Sequence, residues 1–163
     1  MNIEDYKIQP FTKFDKNWAL LTAGTAENFN SMTISWGGMG TIWNTPVVFL
    51  FVKPTRYTYE FVSKYDEITV SFYPEEYKKA LSIFGSKSGR DIDKPKTTGL
   101  TPKILEKGVT YEEAAETIVC HKLFMQQLDK EKFPQQVLKF YNGRGEKELP
   151  AHYFVIAKVV EII

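Results

Sequence analysis

Trp18-Ala19-Leu20-Leu21-Thr22-Ala23-Gly24, a polar turn through Ala26, Glu27 and Asn28, then Asn30-Ser31-Met32-Thr33-Ile34-Ser35-Trp36: the reading of this stretch decides the fold. Apolar side chains dominate Trp18 to Ala23 without the three-to-four spacing of an amphipathic helix, so the segment predicts a buried strand ending at Gly24. Asn30 to Ser35 alternates polar with apolar, the pattern of a second, half-buried strand. Its polar face presents Ser31, Thr33 and Ser35, with Trp36 after them. Short hydroxyls beside an aromatic plane suit a flat polar ring system, because small side chains let a ligand approach the backbone amides closely.

Outward from that pair, Gly37-Gly38-Met39-Gly40 marks unusual backbone freedom, where a bulge or a close backbone approach is expected. Pro46 to Val52 is a continuous apolar run of strand length and predicts a buried central strand. The period then changes. Tyr57, Phe61 and Tyr65 share a helical face, which predicts a short helix from about Arg56 to Lys64 with Thr55 as its N-cap. Ile68 to Tyr73 alternates again as a strand, stopped by Pro74. Tyr77, Ala80, Leu81 and Phe84 recur at helical spacing and predict a helix from about Glu75 to Phe84, ended by Gly85. Ser86 to Pro95 is polar, charged and rich in turn residues, and reads as a loop. A helical turn is expected after Pro102, a strand over Glu116 to Leu128, a helix over Phe133 to Tyr141 and a last strand over His152 to Ile162. Met1 to Lys16, with Phe11 and Phe14, reads as an arm packing on the body. About six strands with short helices inserted predict a mainly β antiparallel barrel, as a single domain over residues 1–163.

Composition narrows the function classes. The 163 residues carry 21 lysines and arginines against 20 aspartates and glutamates, so no global field favours nucleic acid or an anionic membrane. One cysteine, Cys120, excludes an internal disulfide framework and a multi-cysteine metal cage. No run of about twenty apolar residues and no signal-peptide pattern is present, which points to the cytoplasm. His121 and His152 lack acidic or cysteine partners at ligand spacing, and each reads as a hydrogen-bonded structural histidine, with His152 a candidate pocket residue. Cys120 reads as a small buried hydrophobe.

Asp15 to Gly24, Asn30 to Gly38, Pro54-Thr55-Arg56-Tyr57-Thr58-Tyr59 and Ser88-Gly89-Arg90-Asp91-Ile92-Asp93-Lys94 together resemble the flavin reductase-like family of FMN-binding split barrels, which includes the flavoredoxins. His152 to Val159 resembles that family's closing strand, although Ala157-Lys158 stands where many members have Gly-Glu. The resemblance implies a six-stranded antiparallel Greek-key split barrel, a homodimer and FMN bound near the subunit interface.

FMN demands a cradle for a dianionic phosphate and a slot for its ring. Arg56 and Thr58 at a helix start offer a guanidinium fork, a hydroxyl and free backbone amides at the favourable end of the helix dipole. Ser88 and Arg90 are candidates to close over the phosphate, and Lys87 or Lys94 to add charge. For the ring, backbone amides within Asn30, Ser31, Met32 and Thr33 would face its carbonyl oxygens, with Ser35 and Trp36 where the chain leaves the strand; the side chains of Met32 and Ile34 read as core. Hydride transfer at flavin N5 needs no protein nucleophile, which fits the lack of any triad or metal cluster in the sequence.

Three readings follow. The first is an FMN-dependent oxidoreductase that moves electrons between NAD(P)H and flavin or a downstream acceptor. The second is a flavoredoxin-like FMN electron carrier that exchanges electrons with a redox protein partner. The third is a split-barrel binding module without flavin, against which the intact Arg-x-Thr and Asn-Ser-Met-Thr blocks count. No Gly-x-Gly-x-x-Gly fingerprint selects a nicotinamide cofactor.

Overall fold

A computed structural model describes residues 1–143 and 148–163. Among the described residues nine strands carry the fold: β1 (Ala19–Gly24), β2 (Phe29–Ile34), β3 (Gly37–Ile42), β4 (Thr45–Val52), β5 (Glu67–Phe72), β6 (Pro102–Ile104), β7 (Val109–Tyr111), β8 (Glu116–Gln127) and β9 (Tyr153–Ile162). Seven of them form one antiparallel sheet in the order β2-β1-β5-β8-β9-β4-β3, and β6 pairs with β7 alone. The edge strands β2 and β3 follow one another in sequence, joined only by Ser35 and Trp36, and do not pair with each other.

The long strands bury the apolar side chains the sequence marks as core. Ala19, Leu21 and Ala23 of β1 meet Met32 and Ile34 of β2, Ile68 and Val70 of β5, Ile118 and Cys120 of β8, Val48 and Leu50 of β4, and Val155 and Ala157 of β9 in one core. Leu20 of β1 points the other way, into a second cluster with Leu81, Phe84, Leu100 and Tyr111. That cluster lies under the helix Lys78–Ser86, whose Leu81 and Phe84 share one face as their spacing predicts.

Several expectations change here. β2 is buried on both faces rather than half-buried, since all its residues except Phe29 and Thr33 lie in the interior. The helix Lys78–Ser86 and the β6–β7 hairpin cover its polar face. The glycines from Gly37 to Gly40 do not bulge; they pair in register with β4, Gly37 opposite Leu50 and Gly40 opposite Val47. Close approach is nonetheless real at Gly37, where a Cβ would stand 2.8 Å from the Phe14 ring. The segment after Pro102 is a strand, not a helical turn, because it forms a ladder with Val109 to Tyr111. The Ser86 to Pro95 loop runs into a short helix, Lys94–Thr98, started by the Asp93 carboxylate accepting from the Lys96 amide. Near Phe133 the helix shrinks to Gln135–Leu138.

Within the N-terminal arm, Phe14 is buried edge-on against Phe72, with ring centroids 5.4 Å apart, while Phe11 stays exposed.

Candidate functional site

The helix Tyr57–Lys64 begins without a side-chain cap. Its N-cap is Arg56, not Thr55, and no side chain accepts from its first amides. An uncapped start leaves orphan N–H groups and the positive end of the helix dipole facing whatever lies beyond. What lies there is a narrow cleft of about 50 Å³ lined by Thr55, Arg56, Thr58, Lys87, Ser88 and Lys94. That is room for a few water-sized groups, the scale of a small oxyanion.

Two cations converge on it. Lys94, 4% exposed, donates to the Ser31 carbonyl at 2.8 Å and the Phe84 carbonyl at 2.9 Å. The Arg56 guanidinium donates to the next carbonyl along the helix end, that of Gly85. Neither forms a salt bridge among the described residues. Burial and, secondarily, the neighbouring Arg56 push the Lys94 ammonium down to about 8, and burial lowers Arg56. Two half-dehydrated cations that repel each other leave an uncompensated positive potential at the helix start, the electrostatics that favour an anion.

The Lys94 bond to the Ser31 carbonyl also orients β2. Backbone polar groups alternate sides along a strand, so Ser31 and Thr33 aim theirs away from β1, while Asn30 and Met32 spend theirs on the ladder. Of the amides expected to face a ring, only those of Ser31 and Thr33 lie on the free edge.

A wider cleft of about 440 Å³ adjoins the narrow one and shares Met32, Thr55 and Arg56 with it. Thr33, Ser35, Trp36, Lys53 and His152 complete its walls. His152, just before β9, is fixed by a 2.9 Å hydrogen bond between its Nδ1 and the Tyr141 hydroxyl, and it packs 4.9 Å from the Trp36 ring. Burial, then the Lys53 charge, pull its pKa to about 4, so the imidazole is neutral at pH 7. Trp36 is exposed and meets Phe140 edge-on at 5.8 Å.

The structure therefore brings together Met32, Thr33, Ser35, Trp36 and Arg56, with Thr58 and Ser88 in the adjoining narrow cleft. It places the others differently. The Ser31 hydroxyl is buried, bonded to Thr22 and Tyr111 at 2.8 Å each, and the Thr33 hydroxyl donates to the Leu81 carbonyl. Two of the three hydroxyls expected to face a ligand, those of Ser31 and Thr33, instead tie β2 to its neighbours and to the helix above. Asn30 donates from Nδ2 to Thr58 Oγ1 at 2.7 Å and so fixes the helix start to the strand. Arg90 pairs with Glu60 and lies 4.6 Å over the Tyr57 ring, outside the narrow cleft. Sequence alone underweights Lys94: inside Asp-Ile-Asp-Lys-Pro it reads as one solvated charge among several, and only packing shows it buried.

His121 and Cys120 stand apart from these clefts. His121 Nδ1 bonds Glu67 at 2.9 Å, and Cys120 is fully buried in the core, where burial pushes its thiol well above the usual range.

An antiparallel sheet whose edge strand and helix start bring two buried cations beside a wider cleft defines a barrel-type fold with one continuous candidate site. The chain matches the flavin reductase like domain over residues 11–162 and belongs to that family. Among solved structures it is similar to an FMN-binding protein from Thermus thermophilus with bound 1-cyclohex-2-enone, at TM-score 0.69 and 20% identity, covering 98% of this chain and 79% of that one. It is similar to flavoredoxin from Methanosarcina acetivorans at TM-score 0.68 and 18% identity, covering 90% and 67%. The styrene monooxygenase flavin reductase of Pseudomonas putida S12 follows at TM-score 0.64 and 19% identity, covering 90% and 78%. These likenesses establish the split-barrel fold. A comparison with curated protein sequences returns no match. No helix among the described residues is long and apolar enough to cross a membrane.

Proposed function

We propose that the chain binds FMN and works as a flavin reductase-like oxidoreductase, moving electrons between NAD(P)H and the flavin or an acceptor beyond it. One observation carries this reading. Arg56 and Lys94 converge on an uncapped helix start, with no carboxylate paired to either among the described residues, and the hole they make opens into the cleft between Thr33 and His152. Arg56 and Lys94 would hold the phosphate, with Ser88, Lys87 and the first amides of the helix Tyr57–Lys64 around it. The free-edge amide of Thr33 would donate to the ring's polar edge, and Trp36 and His152 would wall the ring from solvent. Bound FMN would supply two-electron chemistry at its ring, so the protein needs groups that bind, orient and exclude water rather than a nucleophile.

The neutral His152 adds no charge to the ring cleft, and its bond to Tyr141 holds the imidazole in one orientation. Ser35 and Trp36, joining the unpaired edges of β2 and β3, give that wall a backbone free of ladder constraints.

A flavoredoxin-like carrier that trades electrons with a protein is the second reading, favoured by Trp36 and Phe140, which stay exposed beside the ring cleft as a rim another protein could cover. Both readings take the chain as a homodimer with flavin near the interface, which sedimentation with and without FMN tests.

Protein saturated with FMN is expected to stay yellow through gel filtration; colourless protein would remove both readings. Anaerobic mixing of the loaded protein with NADH and with NADPH then separates them. Bleaching by a nicotinamide identifies the reductase, and bleaching only by a reduced carrier protein identifies the carrier.

A further inference from the structure

The Ser35–Trp36 wall of the ring cleft sits in a gap between two ladders. The β1–β2 ladder ends with Ala19 opposite Ile34, and the β3–β4 ladder begins with Gly37 opposite Leu50. One step further along the first register, Trp18 would stand opposite Ser35. It does not extend the strand. Its backbone turns to φ 67° and ψ 166°, a region occupied almost only by glycine. A bulky residue stays there only where its surroundings hold it, and such outliers gather at functional sites.

Lys78 holds Trp18 from one side. Its ammonium lies over the indole, 3.9 Å from the ring centre, and also donates to the Lys16 carbonyl two residues before Trp18. One cation thus fixes both the ring and the backbone that leads into it. From the other side comes the N-terminal arm, whose π-helical turn Lys13–Asn17 ends at Trp18 and carries Phe14 under the wall. The Phe14 ring fills the space in which a Gly37 side chain would begin, and Lys13 is clamped to Glu116 at 2.8 Å.

Lys78 has a further connection. It starts the helix Lys78–Ser86, whose Leu81 carbonyl accepts from the Thr33 hydroxyl. Gly85 of that helix backs Thr33 so closely that a Cβ there would stand 3.2 Å from the Thr33 Cβ. The corner that fixes Trp18 therefore also fixes the helix that bears on Thr33, which lines the same cleft as Ser35 and Trp36.

We infer that Trp18 and Lys78 are positioning residues: their contact, with Phe14 below Gly37, sets where the Ser35–Trp36 wall stands and hence how the ring of a bound flavin is seated. Neither residue lines the cleft, so the effect passes through the backbone of the wall. Without Lys78 the indole is released, Trp18 relaxes out of its strained backbone, and Ser35 across the register moves with it. The ligand in this inference rests on the flavin reading; the geometry does not.

Flavin titration and amide spectra test it together. Lys78→Met removes the cation and keeps a long side chain. It is expected to weaken riboflavin and FMN by the same factor, at least about fivefold, the scale of one partly desolvated cation–π contact. Both ligands carry the ring, whereas Arg56→Ala separates them. Trp18→Phe, which leaves a poorer ring under the ammonium, should fall between Lys78→Met and wild type, and Lys78→Arg should return both affinities to within about twofold by restoring a cation. In flavin-free, nitrogen-labelled protein, Lys78→Met should shift the Ser35 and Gly37 amides and the Trp36 indole N–H, while the exposed-neighbour variant Lys79→Met leaves them in place. A corner that only supports the fold would lower the urea midpoint and do nothing else. The inference is overturned if those resonances stay put, if neither flavin affinity falls, or if the loss is confined to FMN, which would mean that Lys78 acts through the far end of its helix on Arg56 and Lys94. Wild-type protein that takes neither flavin would sink the flavin reading, and the Ser35, Trp36 and Gly37 resonances would then decide alone on the corner.

Discussion

Lys94 and Arg56 grip adjacent carbonyls at one helix end: Lys94 Nζ donates to Phe84 at 2.9 Å and Arg56 to Gly85, and among the described residues no carboxylate pairs with either. Backbone carbonyls orient these cations but leave their charge uncompensated. An arriving phosphate would meet two groups already positioned.

Removing either charge is therefore expected to separate phosphorylated from unphosphorylated flavin. Arg56→Ala and Lys94→Met should each weaken FMN by about ten- to a hundredfold, the value of one charge-assisted contact of about 1.5 to 3 kcal/mol, and leave riboflavin nearly unchanged. Fluorescence titration with both flavins checks this; equal losses for the two would remove the phosphate role.

Lys94 also predicts a pH dependence. Its native pKa of about 8 lies below the 10.5 of an ordinary lysine, so between those values the unfolded chain binds the extra proton and stability rises with pH. On acidification that contribution is lost from pH 10.5 down to 8 and stays lost below. It is on the order of 3 kcal/mol at full extent. Urea melts of wild type and Lys94→Met at pH 7.5 and 9.5 should show the gap between them shifting in favour of wild type at the higher pH. FMN affinity should run the opposite way, falling above pH 8 as Lys94 loses its proton, while riboflavin affinity stays flat.

His152 gives the acid-side counterpart. Native His152 is neutral down to about pH 4 against 6.5 unfolded, so its contribution is complete above 6.5 and disappears as pH falls to 4. Tyr141→Phe removes the partner of its Nδ1 and should cost about 1 to 3 kcal/mol at pH 7, measured by urea denaturation, because a buried polar atom is left unpaired. No change in stability would mean the imidazole finds another partner.

Lys122 closes the other end of the helix Tyr57–Lys64. Its Nζ donates to the Val62 carbonyl at 2.6 Å and the Tyr65 carbonyl at 3.1 Å and pairs with Asp66. Lys122→Met should destabilise by about 1 to 3 kcal/mol, since the last carbonyls of a helix lose their donor and the dipole its cation. Lys122→Arg should recover part of that loss in the same urea melts.

Cys120 is expected to be silent toward thiol reagents in the native state. The burial that raises its pKa also blocks access, so labelling should follow global unfolding. Rapid labelling in native buffer would contradict the core position.

Much of this was written locally. The strands from Ala19 to Gly24, Thr45 to Val52, Glu67 to Phe72, Glu116 to Gln127 and Tyr153 to Ile162 announce themselves because a continuous apolar or β-branched run, or a two-residue alternation, is a property of neighbours in sequence. The helix Lys78–Ser86 is legible for the same reason, at a different period. The three-residue strands Pro102–Ile104 and Val109–Tyr111 are not, since a run that short carries no period.

By itself, then, the order of residues determined which segments extend, which coil, and that Arg56 starts a helix. Only the tertiary structure decided which faces were covered and which charges were stranded. Ser31 and Thr33 turned inward because the helix Lys78–Ser86 and Tyr111 lie on them, and Lys94 became a buried cation because Phe84, distant along the chain from Ser31, came to share its ammonium. Burial is a sum over neighbours brought in by packing, and no local pattern contains that sum.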